Sequence, residues 1–262
     1  MKLAIVLVAL PAIAGALTPI PVPIQNALSP FNGKWAVRVD TIASSKPYQF
    51  SLSNGTYQCQ SCTPQDTVAA DGADHYVAGH HDYDTVSVVA GDAHTVTLVY
   101  KQRGDVVWQE VDRLSADGKT ISATQTWSNA GKPFDGTVTL TRTATAPAGA
   151  HAASGTWKMD GGATLTTNGL MRTITAKDDT VDVACTADSY QVQIDGAEVS
   201  RADSSTVALK RIDGSTLEET TRFAGKITEI NRMTLSPDGK FISVLDTNVE
   251  RGRTIAYTLE KQ

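Results

Sequence analysis

Apolar and polar residues alternate along this chain with a period of two, and no segment sustains a helical stripe. From Thr95 to Lys101, Val96, Leu98 and Tyr100 alternate with Thr95, Thr97 and Val99. Successive strand side chains point to opposite faces, so this pattern predicts a half-buried strand. Over Thr120 to Trp127, the residues Ile121, Ala123, Gln125 and Trp127 share one face and the other carries only Ser and Thr. In the second half Phe241, Ser243 and Leu245 share one face, with Ile242 and Val244 on the other. Between such runs stand Asn54-Gly55, Asp71-Gly72, Asp117-Gly118, Asp195-Gly196, Asp213-Gly214 and Asp238-Gly239. These dipeptides favour hairpins because type I′ turns need positive φ at both central positions. The fold class read from this pattern is all-β.

The pattern is also written twice. Asp84 to Gly131 aligns without a gap on Ser205 to Gly252, with 14 of 48 pairs identical. The shared residues include Leu114-Ser115 and Asp117-Gly118-Lys119, opposite Leu235-Ser236 and Asp238-Gly239-Lys240. Upstream, Gly33-x-Trp35 recurs as Gly155-x-Trp157. A repeat this long has the size of a small domain rather than a solenoid unit. The expected layout is a signal peptide over 1–16, a Pro-rich lead-in over 17–30, and domains over 31–143 and 155–262. A linker of small residues at 144–154 separates the two domains. Each domain has room for about eight to ten strands. Their nearest-neighbour hairpins predict two tandem antiparallel up-and-down β-barrels, because closing a meander removes its edges. Paired β-sandwiches are the alternative.

Phe31-Asn32-Gly33-Lys34-Trp35, and more weakly Ser154-Gly155-Thr156-Trp157-Lys158, resemble the F-x-G-x-W opening of lipocalins and fatty-acid-binding proteins, the calycin-type barrels. The resemblance makes Gly33, Trp35, Gly155 and Trp157 framework residues. It implies a Trp at the closed end of each barrel, against a basic residue from the last strand. Arg142 fits that role in the first domain and Lys261 in the second. The whole chain is also similar to exported bacterial proteins with G-T-W-K openings and S-x-D-G-K turns.

Composition narrows the setting. Lys2, the apolar run Leu3–Ala14 and Ala14-Gly15-Ala16 read as a secretory signal. Secretion or a periplasmic location is therefore expected. No other stretch approaches the length of a transmembrane helix. The net charge is −5, without a Lys/Arg cluster, which argues against a nucleic-acid partner. Of the three cysteines, Cys59 and Cys62 form the expected local disulfide, because Cys185 lies opposite Cys62 in the repeat and Cys59 has no counterpart.

Chemistry is sparse. The one dense polar run is His75 to Asp84. If residues 80–84 are extended, His80, Asp82 and Asp84 share a face, and His75, His80 and Asp82 could ligate a metal ion. Glu110 and Asp112 share a strand face and are expected to be exposed on an acidic β-protein. No nucleophile elbow, zinc-protease motif or P-loop occurs. No cofactor is implied. The leading expectation is a non-enzymatic exported protein that binds a small hydrophobic or amphipathic ligand inside a barrel, with Tyr100, Trp108 and Trp127 as its wall. The alternatives are an envelope structural or interaction protein with filled barrels, and a metal-binding protein or metal-dependent enzyme using the His75 to Asp84 cluster.

Overall fold

The computed structural model describes residues 28–129, 132–165, 171–185, 189–201 and 204–262. The expected signal peptide and most of the lead-in lie outside these residues. The first half of the chain forms β1 (Gly33–Ser44), β2 (Tyr48–Ser53), β3 (Thr56–Cys59), β4 (Asp66–Ala69), β5 (His75–Tyr76), β6 (Thr85–Asp92), β7 (Thr95–Gln102), β8 (Asp105–Leu114), β9 (Thr120–Asn129) and β10 (Lys132–Thr145). The second half forms β11 (Gly155–Leu165), β12 (Met171–Lys177), β13 (Thr180–Cys185), β14 (Ser189–Gln193), β15 (Val199–Ser200), β16 (Thr206–Arg211), β17 (Thr216–Phe223), β18 (Lys226–Leu235), β19 (Phe241–Asn248) and β20 (Arg253–Lys261). Among the described residues no helix is long and apolar enough to cross a membrane.

These strands make two nearly closed antiparallel up-and-down barrels, each with its own core. The alternation read from the sequence sets the inward faces: Val96, Leu98 and Tyr100 are buried in barrel one, and Ile242 and Val244 in barrel two. The barrels are not, however, two consecutive stretches of chain. β11 pairs with both β10 and β2, and so completes barrel one. β1 pairs with both β20 and β12, and so completes barrel two. Each repeat therefore lends its first strand to the other barrel. The two lent strands run antiparallel and meet at Ala43 and Asp160.

The stretch expected to be an interdomain linker is instead the loop of the β10–β11 hairpin. It is seated on barrel one: His151 N donates to Leu52 O (2.7 Å), and Ser154 Oγ accepts from Leu52 N (2.9 Å). The end of the lead-in is likewise part of a core. Leu28, just before a 3-10 turn at Ser29–Phe31, and Phe31, its last residue, are buried in barrel two.

The two tryptophans occupy equivalent places with exchanged partners. Trp157 is buried in barrel one, where its Nε1 donates to Ala153 O (3.1 Å). Arg142 Cζ lies 4.1 Å from the Trp157 ring centroid, and the guanidinium donates to Gly118 O, Ser154 O and Ala152 O. Trp35 is buried in barrel two, where its Nε1 donates to Phe31 O (2.9 Å) and Lys261 Nζ lies 5.1 Å from its ring centroid. The basic residue of each last strand thus meets the tryptophan of the other repeat. The expected pairing of Arg142 with Trp35 is replaced because β11, not β1, is the neighbour of β10.

Gly33 and Gly155 let these strands enter, at φ +148° and +149°. A Cβ at Gly155 would stand 2.5 Å from Ala144 O, a backbone atom. At Gly33 the nearest atom is Lys261 Cε at 2.9 Å, the far part of a flexible side chain. Both alanine variants incur about 1–3 kcal/mol of backbone strain. Gly155→Ala is expected to lower the melting temperature more than Gly33→Ala, as thermal unfolding followed by circular dichroism will show.

Candidate functional site

Barrel one holds a partly open cavity of about 100 Å³. Its wall includes Tyr100 on β7 and Trp108 on β8, which face each other in register. Their rings stack with centroids 4.4 Å apart and planes 11° apart. Tyr83 meets Tyr100 edge-on at 4.9 Å, and Tyr48, Leu140 and Met159 complete the apolar lining. Trp127 pairs with Trp108 across β8 and β9 but does not line the cavity.

Carboxyl groups lie beneath the rings. Glu110 and Asp112, expected to be exposed, are 4% and 0% exposed. The reason is strand parity: Trp108, Glu110 and Asp112 lie at i, i+2 and i+4, so an inward Trp108 turns the other two inward as well. Glu110 lines the cavity and its Oε2 accepts from Gln125 Nε2 (2.6 Å). Asp112 has the Glu110 carboxyl beside it and no other hydrogen-bond partner among the described residues. Burial raises the pKa of both groups, and the Glu110 charge raises that of Asp112 further. Tyr48 and Tyr57 share a hydroxyl–hydroxyl bond of 2.9 Å, and burial holds both phenols neutral.

The residues named for a metal do not converge. The stretch 80–84 is not a strand, and His80 and Tyr83 turn to the same side, with rings stacked at 4.1 Å. His80 Nε2 donates to buried Asp66 (2.8 Å), which also accepts from Tyr83 Oη (2.7 Å). His75 bonds Asp71 (2.8 Å) and Asp82 accepts from Arg251 (2.6 Å). Among the described residues no three His, Cys, Asp or Glu side chains are gathered to hold an ion. Cys59 and Cys62 are joined in a disulfide, whose Cys62 touches the cavity, and Cys185 is not disulfide-bonded.

The remaining side of the cavity comes from barrel two. Arg251 and Arg253, at the β19–β20 hairpin, line it together with Lys46 from the β1–β2 crossover. The hairpin is held over barrel one by a hydrogen bond between His81 Nδ1 and Glu250 (2.5 Å) and an ion pair from Arg251 to Asp82 (2.6 Å). Sequence reasoning missed these arginines because the repeat assigns them to the other domain.

Barrel two differs inside. Arg172 stands opposite Trp35 as Tyr48 stands opposite Trp157. It lies 3.9 Å from Glu219, which is 2% exposed and also accepts from Tyr190 Oη. Nearby Asp246 has its pKa raised to about 8 by burial and by the Glu229 charge.

These elevated carboxyls give a pH dependence of definite sign. A carboxyl with a raised folded pKa keeps its proton while the unfolded chain releases one. Stability therefore falls as pH rises from about 4 to about 8, the window set by Asp246. Denaturant titrations should give greater stability at pH 5 than at pH 8, by up to about 1.4 kcal/mol per pH unit for each such group. Asp112→Asn should flatten the slope, and a slope that rises with pH would contradict this assignment. Comparison of the chain with protein-family models and with curated proteins finds no match.

Proposed function

We propose that this protein is an exported, non-enzymatic binding protein that holds one small hydrophobic or amphipathic molecule inside barrel one. The observation that carries this reading is the stacked Tyr100–Trp108 wall of a cavity in barrel one. The G-x-W openings and the Trp–cation contacts at each barrel support a lipocalin-type reading of the fold. The apolar run at residues 3–14 supports export to the periplasm or the medium.

Size narrows the ligand class. An apolar cavity of about 150 Å³ accommodates benzene. A space of about 100 Å³ is smaller than that, so it admits at most about one ring and is too short for a long acyl chain. Barrel two, whose interior is occupied by the Arg172–Glu219–Tyr190 group, serves in this reading as scaffold and cover.

Mass spectrometry of small molecules extracted from natively purified protein tests the proposal. The expected result is one compound of about single-ring size in near-stoichiometric amount, with Trp108→Ala lowering its retention at least tenfold. Tenfold corresponds to about 1.4 kcal/mol, within the range of one aromatic stack. No extracted compound, together with no thermal stabilisation by single-ring probes, would overturn it, since a ligand stabilises the state it binds.

A further inference from the structure

We propose that the cavity of barrel one selects molecules bearing a carboxylate on a small apolar body, and that barrel two supplies the anchoring group, Arg253. This rests on the ligand-binding reading above and adds the chemical class of the ligand. Three observations carry it.

The first is a pair of hydrogen-bond donors without acceptors. Arg253 Nε and Trp108 Nε1 are both buried, both belong to residues lining the cavity, and neither has a partner among the described residues. A buried donor left unpaired costs about 1–3 kcal/mol. Two such donors on one small cavity call for an acceptor placed between them.

The second is the charge at the mouth. Lys46, Arg251 and Arg253 all reach the cavity. Arg251 is neutralised by Asp82, whereas Arg253 makes no ion pair within 4 Å among the described residues, and Asp246, Glu110 and Asp82 act on its charge from farther away. A guanidinium presents fixed donors that match a carboxylate in a bidentate fork.

The third is that the acidic groups do not provide an opposing site for a cation. Glu110 already accepts from Gln125, and Asp112 lies beside it without lining the cavity. Burial and the Glu110 charge favour the protonated form of Asp112, which sits beside Glu110 and limits the negative charge under the cavity. The stacked rings and Leu140 then receive the apolar body. Because the anchor and the ring wall come from different barrels, the site is complete only when the β19–β20 hairpin sits over barrel one.

The test compares benzoate, benzylamine and toluene binding to the full chain near pH 7 by calorimetry, with Arg253→Gln and Trp108→Phe as variants. Benzoate is expected to bind at least tenfold more tightly than the other two. Arg253→Gln should remove that preference, and Trp108→Phe, which keeps a ring and loses the N–H, should weaken benzoate several-fold. Should Arg253→Gln fail to fold, the probe comparison and Trp108→Phe still decide. Equal or tighter binding of toluene or benzylamine would overturn the carboxylate inference and leave the binding reading standing. Benzoate affinity unchanged in both variants would overturn Arg253 as anchor. Binding of none of the three would overturn both the inference and the reading beneath it.

Discussion

Closure of each barrel by a strand from the other repeat is the constraint on which the rest of this structure depends. β10 is followed after a short loop by β11, and the two pair along most of their length. That pairing occupies the edge β1 would need in order to close barrel one. β1 instead joins β12 to β20, so barrel two unites the first and last strands of the chain. Barrel two cannot close until its final strand exists. Each junction is fastened where the lent strand enters, by an indole donating to the chain just before it and a cation against its face. A cation–π contact with a partly exposed cation is worth about 0.5–1 kcal/mol, and burial of the indole adds more.

Interlocking also explains how one scaffold carries two interiors. At equivalent positions Trp108, Glu110, Asp112 and Gln125 of barrel one become Glu229, Asn231, Met233 and Asp246 of barrel two. Tyr48 becomes Arg172, and Leu98 becomes Glu219. Barrel one keeps rings and a small cavity, while barrel two fills the corresponding space with an ion pair and its hydroxyl partner. Because the barrels share strands, the β19–β20 hairpin is fixed over barrel one, where Glu250 and Arg251 bind His81 and Asp82. Two repeats therefore do not give two equivalent sites; they give one cavity and its cover.

Much of the fold was legible in the chain because strand alternation and hairpin turns are local signals. The Ser-x-Asp-Gly-Lys turns illustrate this: Ser115 Oγ donates to Asp117, whose carboxylate accepts from Lys119 N, and Ser236, Asp238 and Lys240 repeat the arrangement. The exchange was not legible. A repeated G-x-W marks where a first strand begins, and nothing in it says which barrel receives that strand. The same blindness hid Arg251 and Arg253 from the cavity. Burial of Glu110 and Asp112 was within reach, since an inward Trp108 fixes the parity of β8. Composition alone argued for exposure, and parity is the stronger signal on a strand. The run His75 to Asp84 misled for a related reason: period-two reasoning applies only to extended backbone, and residues 80–84 are not extended.

Strand exchange makes a demand that two consecutive barrels do not. If the chain is cut in the exposed part of the β10–β11 loop, at Ala148–Gly149, each half holds the first strand of the other half's barrel. Co-production of the two halves, with an affinity tag on one, followed by purification and size-exclusion chromatography, reads this directly. The halves are predicted to copurify as a one-to-one complex of the intact protein's size. Two separate, folded monomers would show that each repeat closes its own barrel, and would contradict the account.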